Sequence, residues 1–387
     1  MINAQRFSVS SGIKHLIVLA FVVLWTLPTA GLLVSSVRDA DQLIVSGWWT
    51  ALVATERNAA HRTGTADSQV EVDNQFRIDG EFFREDSGRT VVSWGTGGRN
   101  LDEFQAGDTW VQDDGSRLTV NEDGSYVWLS EQPFEHARGI RLFYIAAIPP
   151  RFTMANYERV LAAEGIGRAF VNSVTVTLPA TFIPILIAAF AAYALSWMNF
   201  WGRSFFLAAI VGLLVVPLQM ALIPVLSTYN WLGQTWVGSL GWEPRSYLGV
   251  WLAHTGFGLP LAVYLLRNYM AGLPREIMES ARMDGATHFK IFITIVLPLS
   301  VPALASFAIF QFLWVWNDLL VAIVFLGQGE GRTVLTAQLR ELLGSRGDNW
   351  EILTSGAFVT MIVPLLVFIS MQRYFVRGML AGSVKGG

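Results

Sequence analysis

The residues best equipped for chemistry lie inside an apolar run, Phe310-Gln311-Phe312-Leu313-Trp314-Val315-Trp316-Asn317-Asp318. Indole faces beside amides and a carboxylate are what a hydroxyl-rich ligand needs: an apolar surface flanked by hydrogen-bonding groups. Gln311, Trp314 and Asp318 recur at three- and four-residue spacing, so on a helix they share one face. A carboxylate inside such a run is expensive and marks a functional position by default. Two readings of Asp318 stand side by side. In one it lines a path with Gln311, Trp314, Trp316 and Asn317; in the other it caps a backbone group or pairs with an arginine.

Other chemistry is missing. No G-x-x-x-x-G-K-[ST] phosphate loop occurs, so ATP is not bound in the P-loop manner. The five histidines, His15, His61, His136, His254 and His288, show no metal-ligand spacing, and there is no cysteine. The chain is therefore not expected to be an enzyme or to hold a metal or cofactor of its own.

The second notable stretch is a polar island between long apolar runs, residues 274–298. Pro274 suits the first turn of a helix, and Glu276 and Glu279 suit its positive end. Ile277, Met278 and Ala281 line one face, Gly285 is placed to end the helix, and Thr287 can cap the next. The spacing predicts a short helix joined to an apolar helix through a glycine corner.

The elements that carry these residues are membrane helices. Of the 387 residues, 52% are hydrophobic and 15% charged, against about 25% charge in soluble domains. Six runs reach the length needed to cross about 30 Å of hydrocarbon: 13–37, 170–197, 205–229, 247–269, 292–326 and 352–375. Pro179, Pro184, Pro217 and Pro224 fall inside two of them, where kinks are tolerated. Arg6, Lys14, Arg203, Arg267, Arg275, Arg282, Lys290, Arg373, Arg377 and Lys385 fall on one side if both termini are cytoplasmic. The first run is longer than a signal-peptide core and is expected to be an uncleaved anchor.

Residues 39–150 differ in composition: acidic, without lysine, and rich in glycine and aromatics. Alternation in 76–82 and 90–94, and two strand-like runs around Asn121-Glu122-Asp123-Gly124, predict a β-rich domain with an Asp-Gly hairpin. The segment 43–60, with Trp48 and Trp49, reads as a helix lying along the membrane. Trp231, Trp236 and Trp242 form either an interfacial aromatic belt or a sugar-stacking platform.

The polar island resembles the EAA loop of bacterial ABC importer permeases of the carbohydrate branch. That pattern runs Glu, a small pair, three residues, Gly, nine residues, Ile, one residue, Leu-Pro. Here it is Glu279-Ser280-Ala281, Gly285, Ile295, Leu297 and Pro298. Asn172-Ser173 resembles the start of the transmembrane core in sugar permeases. Arg377, Gly378, Ala381, Gly382 and Lys385, within 376–387, resemble the tail of the shorter maltose-type permease, which contacts the ATPases. The enlarged 39–150 segment resembles the α-glucoside branch.

The resemblance implies an α-helical integral membrane protein of the cytoplasmic (inner) membrane. It would have six transmembrane helices: an N-terminal segment with the first span (1–38), an extracytoplasmic β-rich insertion (39–150) and a permease domain (151–387). Implied partners are a second homologous permease, two copies of a cytoplasmic ATPase that bind ATP and Mg, an external sugar-binding protein and membrane lipid; no nucleic acid is expected. Met278, Glu279, Ser280, Ala281, Arg282, Asp284, Gly285 and Ala286 would couple to the ATPase, with Met278 and Ala281 packed into its cleft. An α-linked glucoside of the maltose, trehalose or sucrose type is the expected substrate. An ion-coupled carrier would place several acidic residues within its spans, and a membrane-anchored sensor needs an output domain. Neither accounts for the EAA register.

Overall fold

The computed structural model describes residues 9–72, 74–83, 88–135, 138–327, 329, 331–342 and 349–383. The chain divides into two compact units, Met1–Asn156 with Asn349–Ser355, and Tyr157–Asp348 with Gly356–Gly387.

The first unit opens with helix α1 (Val9–Ser36), whose long apolar surface is exposed almost throughout. A short helix α2 (Ala40–Val45) and a single turn at Trp48–Thr50 follow. Among the described residues, nine strands come next: β1 (Thr55–Arg62), β2 (Val70–Val72), β3 (Gln75–Glu81), β4 (Thr90–Gly95), β5 (Phe104–Gln105), β6 (Thr109–Val111), β7 (Arg117–Val120), β8 (Ser125–Ser130) and β9 (Arg141–Ile148). They form two antiparallel sheets, ordered β1-β9-β4-β5 and β2-β3-β8-β7-β6. Strand β9 shows why: Leu142, Tyr144, Ala146 and Ile148 alternate inward, the period-2 signature of a half-buried strand. Trp94, Trp128, Ile78, Leu118 and Leu142 fill the core. The expected hairpin joins β7 to β8, with Gly124 at φ +85°.

The segment 43–60 is not one helix. The α-helix stops at Val45, only a single tighter turn follows at Trp48–Thr50, and Thr55–Ala60 is the first part of β1, paired with β9 from Thr55↔Ile148 onward. Gly47 and the partner strand override the apolar run's helical look.

The second unit is helical: α3 (Ala155–Ala162), α4 (Ile166–Trp197), α5 (Arg203–Leu213), α6 (Leu218–Gly233), α7 (Trp236–Ser239), α8 (Tyr247–Ala271), α9 (Arg275–Met283), α10 (His288–Ile291), α11 (Leu297–Leu299), α12 (Val301–Asn317), α13 (Leu319–Phe325), α14 (Leu335–Leu342) and α15 (Trp350–Ser383). The first turn of α15 belongs to the other unit. Among the described residues, α1, α4, α8 and α15 are each long and apolar enough to cross a membrane. The pairs α5–α6, bent by 109°, and α10/α11–α12, bent by 70°, bring the number to six if each is one span. Both bends are at prolines, which withdraw a helical N–H: Pro217 precedes α6, and Pro298 and Pro302 flank Ser300. Pro179 and Pro184, by contrast, lie within an unbroken α4.

Asn172 and Ser173 lie inside α4, past its start at Ile166, and tie it to the segment leading into α14 and to α8. The Asn172 amide donates to the Gly331 and Thr333 carbonyls and accepts from Tyr247, while the Ser173 hydroxyl accepts from the Leu335 N–H. Trp242 donates to the Tyr229 carbonyl and packs on its ring, a structural role; Trp231 and Trp236 are exposed, as interfacial residues would be. Arg377, Gly378, Ala381 and Gly382 lie in α15, which runs as helix to Ser383; Lys385 lies outside the described residues.

Candidate functional site

Two places in the helical unit carry the residues singled out above. The first is the corner between α9 and α10. Pro274 stands just before α9, at its N-cap, with Glu276 in the first turn. The helix ends in a Schellman motif: the Ala286 N–H bonds to the Ala281 carbonyl at 3.0 Å and the Gly285 N–H to the Arg282 carbonyl at 2.9 Å. The motif needs a left-handed residue after the cap, and Gly285 supplies φ +76°. A Cβ at Gly285 would meet nothing within 4 Å, so conformation rather than close packing calls for glycine. Thr287 then caps α10, accepting from the Lys290 N–H. Hydrogen bonds to helix-end carbonyls hold the corner: Arg282 donates to Trp197, and Trp197 in turn to Met270. The Tyr193 hydroxyl meets His288 Nδ1 at 3.0 Å.

The faces of α9 differ from expectation. Met278 is 2% exposed and belongs to the chain's own core with Leu266, Met270, Phe292 and Val296. Ala281 and Ala286 are half-buried against the same core. Met278 and Ala281 therefore pack toward the chain's own core and hold α9 down. Glu279, Ser280, Arg282, Asp284 and Gly285 face outward. So do Phe289 and Met283, the latter 87% exposed and an apolar side chain the sequence pattern did not single out.

The second place is the outer half of α12, meaning its C-terminal part. The helix ends at Asn317, and Asp318 adopts φ −82°, ψ 97°. Its carboxylate accepts from the Val321 N–H at 3.0 Å, capping α13. The cap of one reading is present, and the carboxylate also borders a hollow; the shared helical face holds for Gln311 and Trp314 but breaks before Asp318. Gln311 is buried and donates to the Ala180 and His254 carbonyls, tying α12 to α4 and α8. Trp316 is turned away: it stacks on Phe312, meets the edge of Phe170 and donates to the Thr360 carbonyl. It is a packing residue and not part of a path. Asn317 donates back to the Leu313 carbonyl.

Trp314 stands between two hollows. One, of about 570 Å³, lies between α5–α6, α8 and α12 and is lined mostly by aliphatic side chains, with Tyr229, Gln311 and Trp314 as its polar-edged members. The other, about 440 Å³ and more open, is lined by Trp314, Asn317, Asp318 and Gln219 among others. Behind Trp314 sits His254, fully buried, its ring edge-on to the indole at 5.3 Å. Neither nitrogen of His254 has a hydrogen-bond partner among the described residues. A buried imidazole without a partner is costly and calls for an explanation. Its one sequence signal is a titratable residue inside the apolar run of α8, a signal that metal-ligand spacing does not detect. No cluster of three metal-ligating side chains occurs among the described residues.

The family described as binding-protein-dependent transport system inner membrane component matches residues 173–381. The alpha-glucoside transport system permease protein AglG of Rhizobium meliloti (strain 1021) is 62% identical over 386 residues, covering 100% of both chains. The osmoprotective compounds uptake permease protein GgtD of Synechocystis sp. is 42% identical over 96% of this chain and 91% of that one. Among solved structures, a bacterial ABC transporter involved in the import of the acidic polysaccharide alginate has a chain that matches with a TM-score of 0.46. It is 23% identical and covers 59% of this chain and 82% of that chain.

Proposed function

The chain belongs to the binding-protein-dependent transport system inner membrane components, the permeases of ABC importers, and from that membership we propose that it moves an α-glucoside of disaccharide size across the cytoplasmic membrane by alternating access. The observation that carries the substrate class is 62% identity to an alpha-glucoside permease across the whole chain, the β-rich segment included. Maltose, trehalose and sucrose are the substrates to try first. Another oligosaccharide or sugar derivative is the second reading, and the 42% likeness to an osmoprotective-compounds permease adds osmoprotective solutes to those worth trying.

In this reading both termini are cytoplasmic and the β-rich segment 39–150 lies outside. A second, homologous permease completes the path, an external binding protein delivers the sugar, and two ATPase subunits bind ATP and Mg. The corner of α9 is the coupling element. Its rigidity supports that role: the Schellman end, the Thr287 cap and the buried Met278 fix α9 to α10, so force on α9 reaches α10 without loss in a loose hinge. Glu279 would pair with a cationic ATPase group, and Met283 and Phe289 are the apolar side chains free to enter its cleft. Arg377, Gly378, Ala381, Gly382 and Lys385 would add a second ATPase contact. Gln311, Trp314, Asn317 and Asp318 stand beside the hollows through which sugar would pass.

Co-purification of the tagged chain with its partners, followed by ATPase assays, tests the reading. An ATPase and a second permease should come down in fixed ratio, with hydrolysis stimulated by a binding protein loaded with an α-glucoside. Stimulation only by another solute would change the substrate. A chain that comes down alone yet moves sugar in a proton-dependent way would end the importer reading. Glu279→Lys should uncouple hydrolysis from uptake with membrane insertion intact; normal uptake by that variant removes Glu279 from the account.

A further inference from the structure

The segment between α1 and β1 forms a surface that transport does not explain. Trp49 is 74% exposed and Leu52 82%, with Val53 also exposed. Phe152 and Met154, on the returning chain, are exposed as well. The backbone of Phe152 pairs with that of Arg38, which ties the returning chain to the start of this segment. Water-facing residues do not account for such a cluster, since the whole stretch 42–55 carries no charge. Charge returns abruptly at Glu56 and Arg57, both exposed on β1.

The patch is rigid. The guanidinium of Arg38 is buried and donates to the Gln42, Ser46 and Gly47 carbonyls and to the Ser46 hydroxyl. Gln42 donates to the Pro149 carbonyl and accepts from the Arg151 N–H, and Asn156 donates to the Ser36 and Arg38 carbonyls. Outgoing and returning chains are thus clasped, and the apolar side chains project from a fixed platform.

Its depth can be read from α1. Trp48 lies against Gly31: a Cβ there would sit 2.6 Å from the indole Nε1. With the 28-residue helix α1 centred on the bilayer, Gly31 is about 13 Å from the mid-plane at 1.5 Å per residue. The hydrocarbon half-thickness is about 15 Å. Trp48 therefore stands at the boundary between hydrocarbon and headgroups, where indoles are enriched because their bodies are apolar and their N–H is polar.

We propose that residues Gly47–Val53, together with Phe152 and Met154, form an interfacial foot that inserts Trp49, Leu52 and Val53 into the bilayer surface at the C-terminal end of α1. The ligand class is lipid, taken at the level of the headgroups and upper acyl chains. The foot fixes the β-rich unit to the membrane through the clasp at Arg38. It requires α1 to cross the membrane but is independent of the solute carried.

The absence of cysteine makes the test direct. Single cysteines at Leu52 and Val53, in the full transporter with cysteine-free partners in nanodiscs, take a spin label. Collision with oxygen, which prefers lipid, is compared with collision with a nickel chelate, which prefers water. Leu19 on α1 and Val111 on β6, both exposed, are the lipid and water references. The oxygen-to-nickel ratio at 52 and 53 is expected several-fold above that at Val111 and below that at Leu19. A ratio equal to that at Val111 would overturn the foot. Labels closed to both reagents would also overturn it, because a protein partner would then cover the patch. A water-like value at Leu19 would overturn the crossing of α1 and the foot with it.

Discussion

Substitution of Gly285 separates two reasons for a glycine at the corner. At φ +76° with no atom within 4 Å of an added Cβ, a side chain there meets conformational strain and no steric wall. For an L-residue other than Asn or Asp that strain is about 1–2 kcal/mol, which corresponds to roughly 5- to 30-fold in the population of the capped corner. Asparagine tolerates the left-handed region best among non-glycine residues, so Gly285→Asn should retain most uptake. Gly285→Ala should lose several-fold, and Gly285→Val, β-branched, should lose most. The assay is uptake in vesicles together with ATPase rate, since a loosened corner should leave hydrolysis less tightly tied to transport. The order Asn above Ala is the discriminating result, because asparagine is the larger side chain. An order set by volume, with Ala best and Asn worse, would refute the conformational argument and place a partner surface against Gly285.

Three further outcomes follow from particular contacts. Met278→Ala should cost about 2–5 kcal/mol, as for other buried methionines, and should lower the thermal stability of the solubilised permease even without its ATPase; stability unchanged in its absence would return Met278 to the interface. Asp318→Asn should preserve uptake because asparagine caps helices as well as aspartate, whereas Asp318→Ala should cost about 1 kcal/mol at α13; loss of transport in the asparagine variant would show that the charge itself is needed. Trp128→Ala should cost about 3–5 kcal/mol and expose the β-rich unit to protease while the helical unit keeps its resistance, since Trp128 packs on Phe134 within the β core.

What could be read from the sequence depended on whether local pattern or tertiary contact decided the outcome. The Gly285 corner and its Thr287 cap were legible because both are set within a few residues by backbone geometry. So was the hairpin at Asp123-Gly124. The inward turn of Met278 was not: Ile277 and Met278 are adjacent on an amphipathic helix, and only the position of the core, formed by α8 and residues 291–296, decides which is covered. The bends of 109° and 70° were half legible, since prolines mark where a helix can break, yet Pro179 and Pro184 mark places where α4 does not. For Thr55–Ala60 the deciding partner, β9, lies more than eighty residues away, beyond the reach of any local pattern.

The same distinction sorts the residues around Trp314. Composition gathered Gln311, Trp314, Trp316, Asn317 and Asp318 into one group because amides, indoles and a carboxylate suit a sugar. The fold assigns them to different work. Trp316 packs the core, Asp318 caps α13, Asn317 binds its own helix, and Gln311 spends its amide donors on the Ala180 and His254 carbonyls. Trp314 alone of the five lines both hollows. A sugar face stacked there would lie against an indole whose far side meets His254, the one buried imidazole with no hydrogen-bond partner among the described residues. Of the five, Trp314 is the side chain that the fold sets at the border of both hollows, and His254 is the group that lies against its ring.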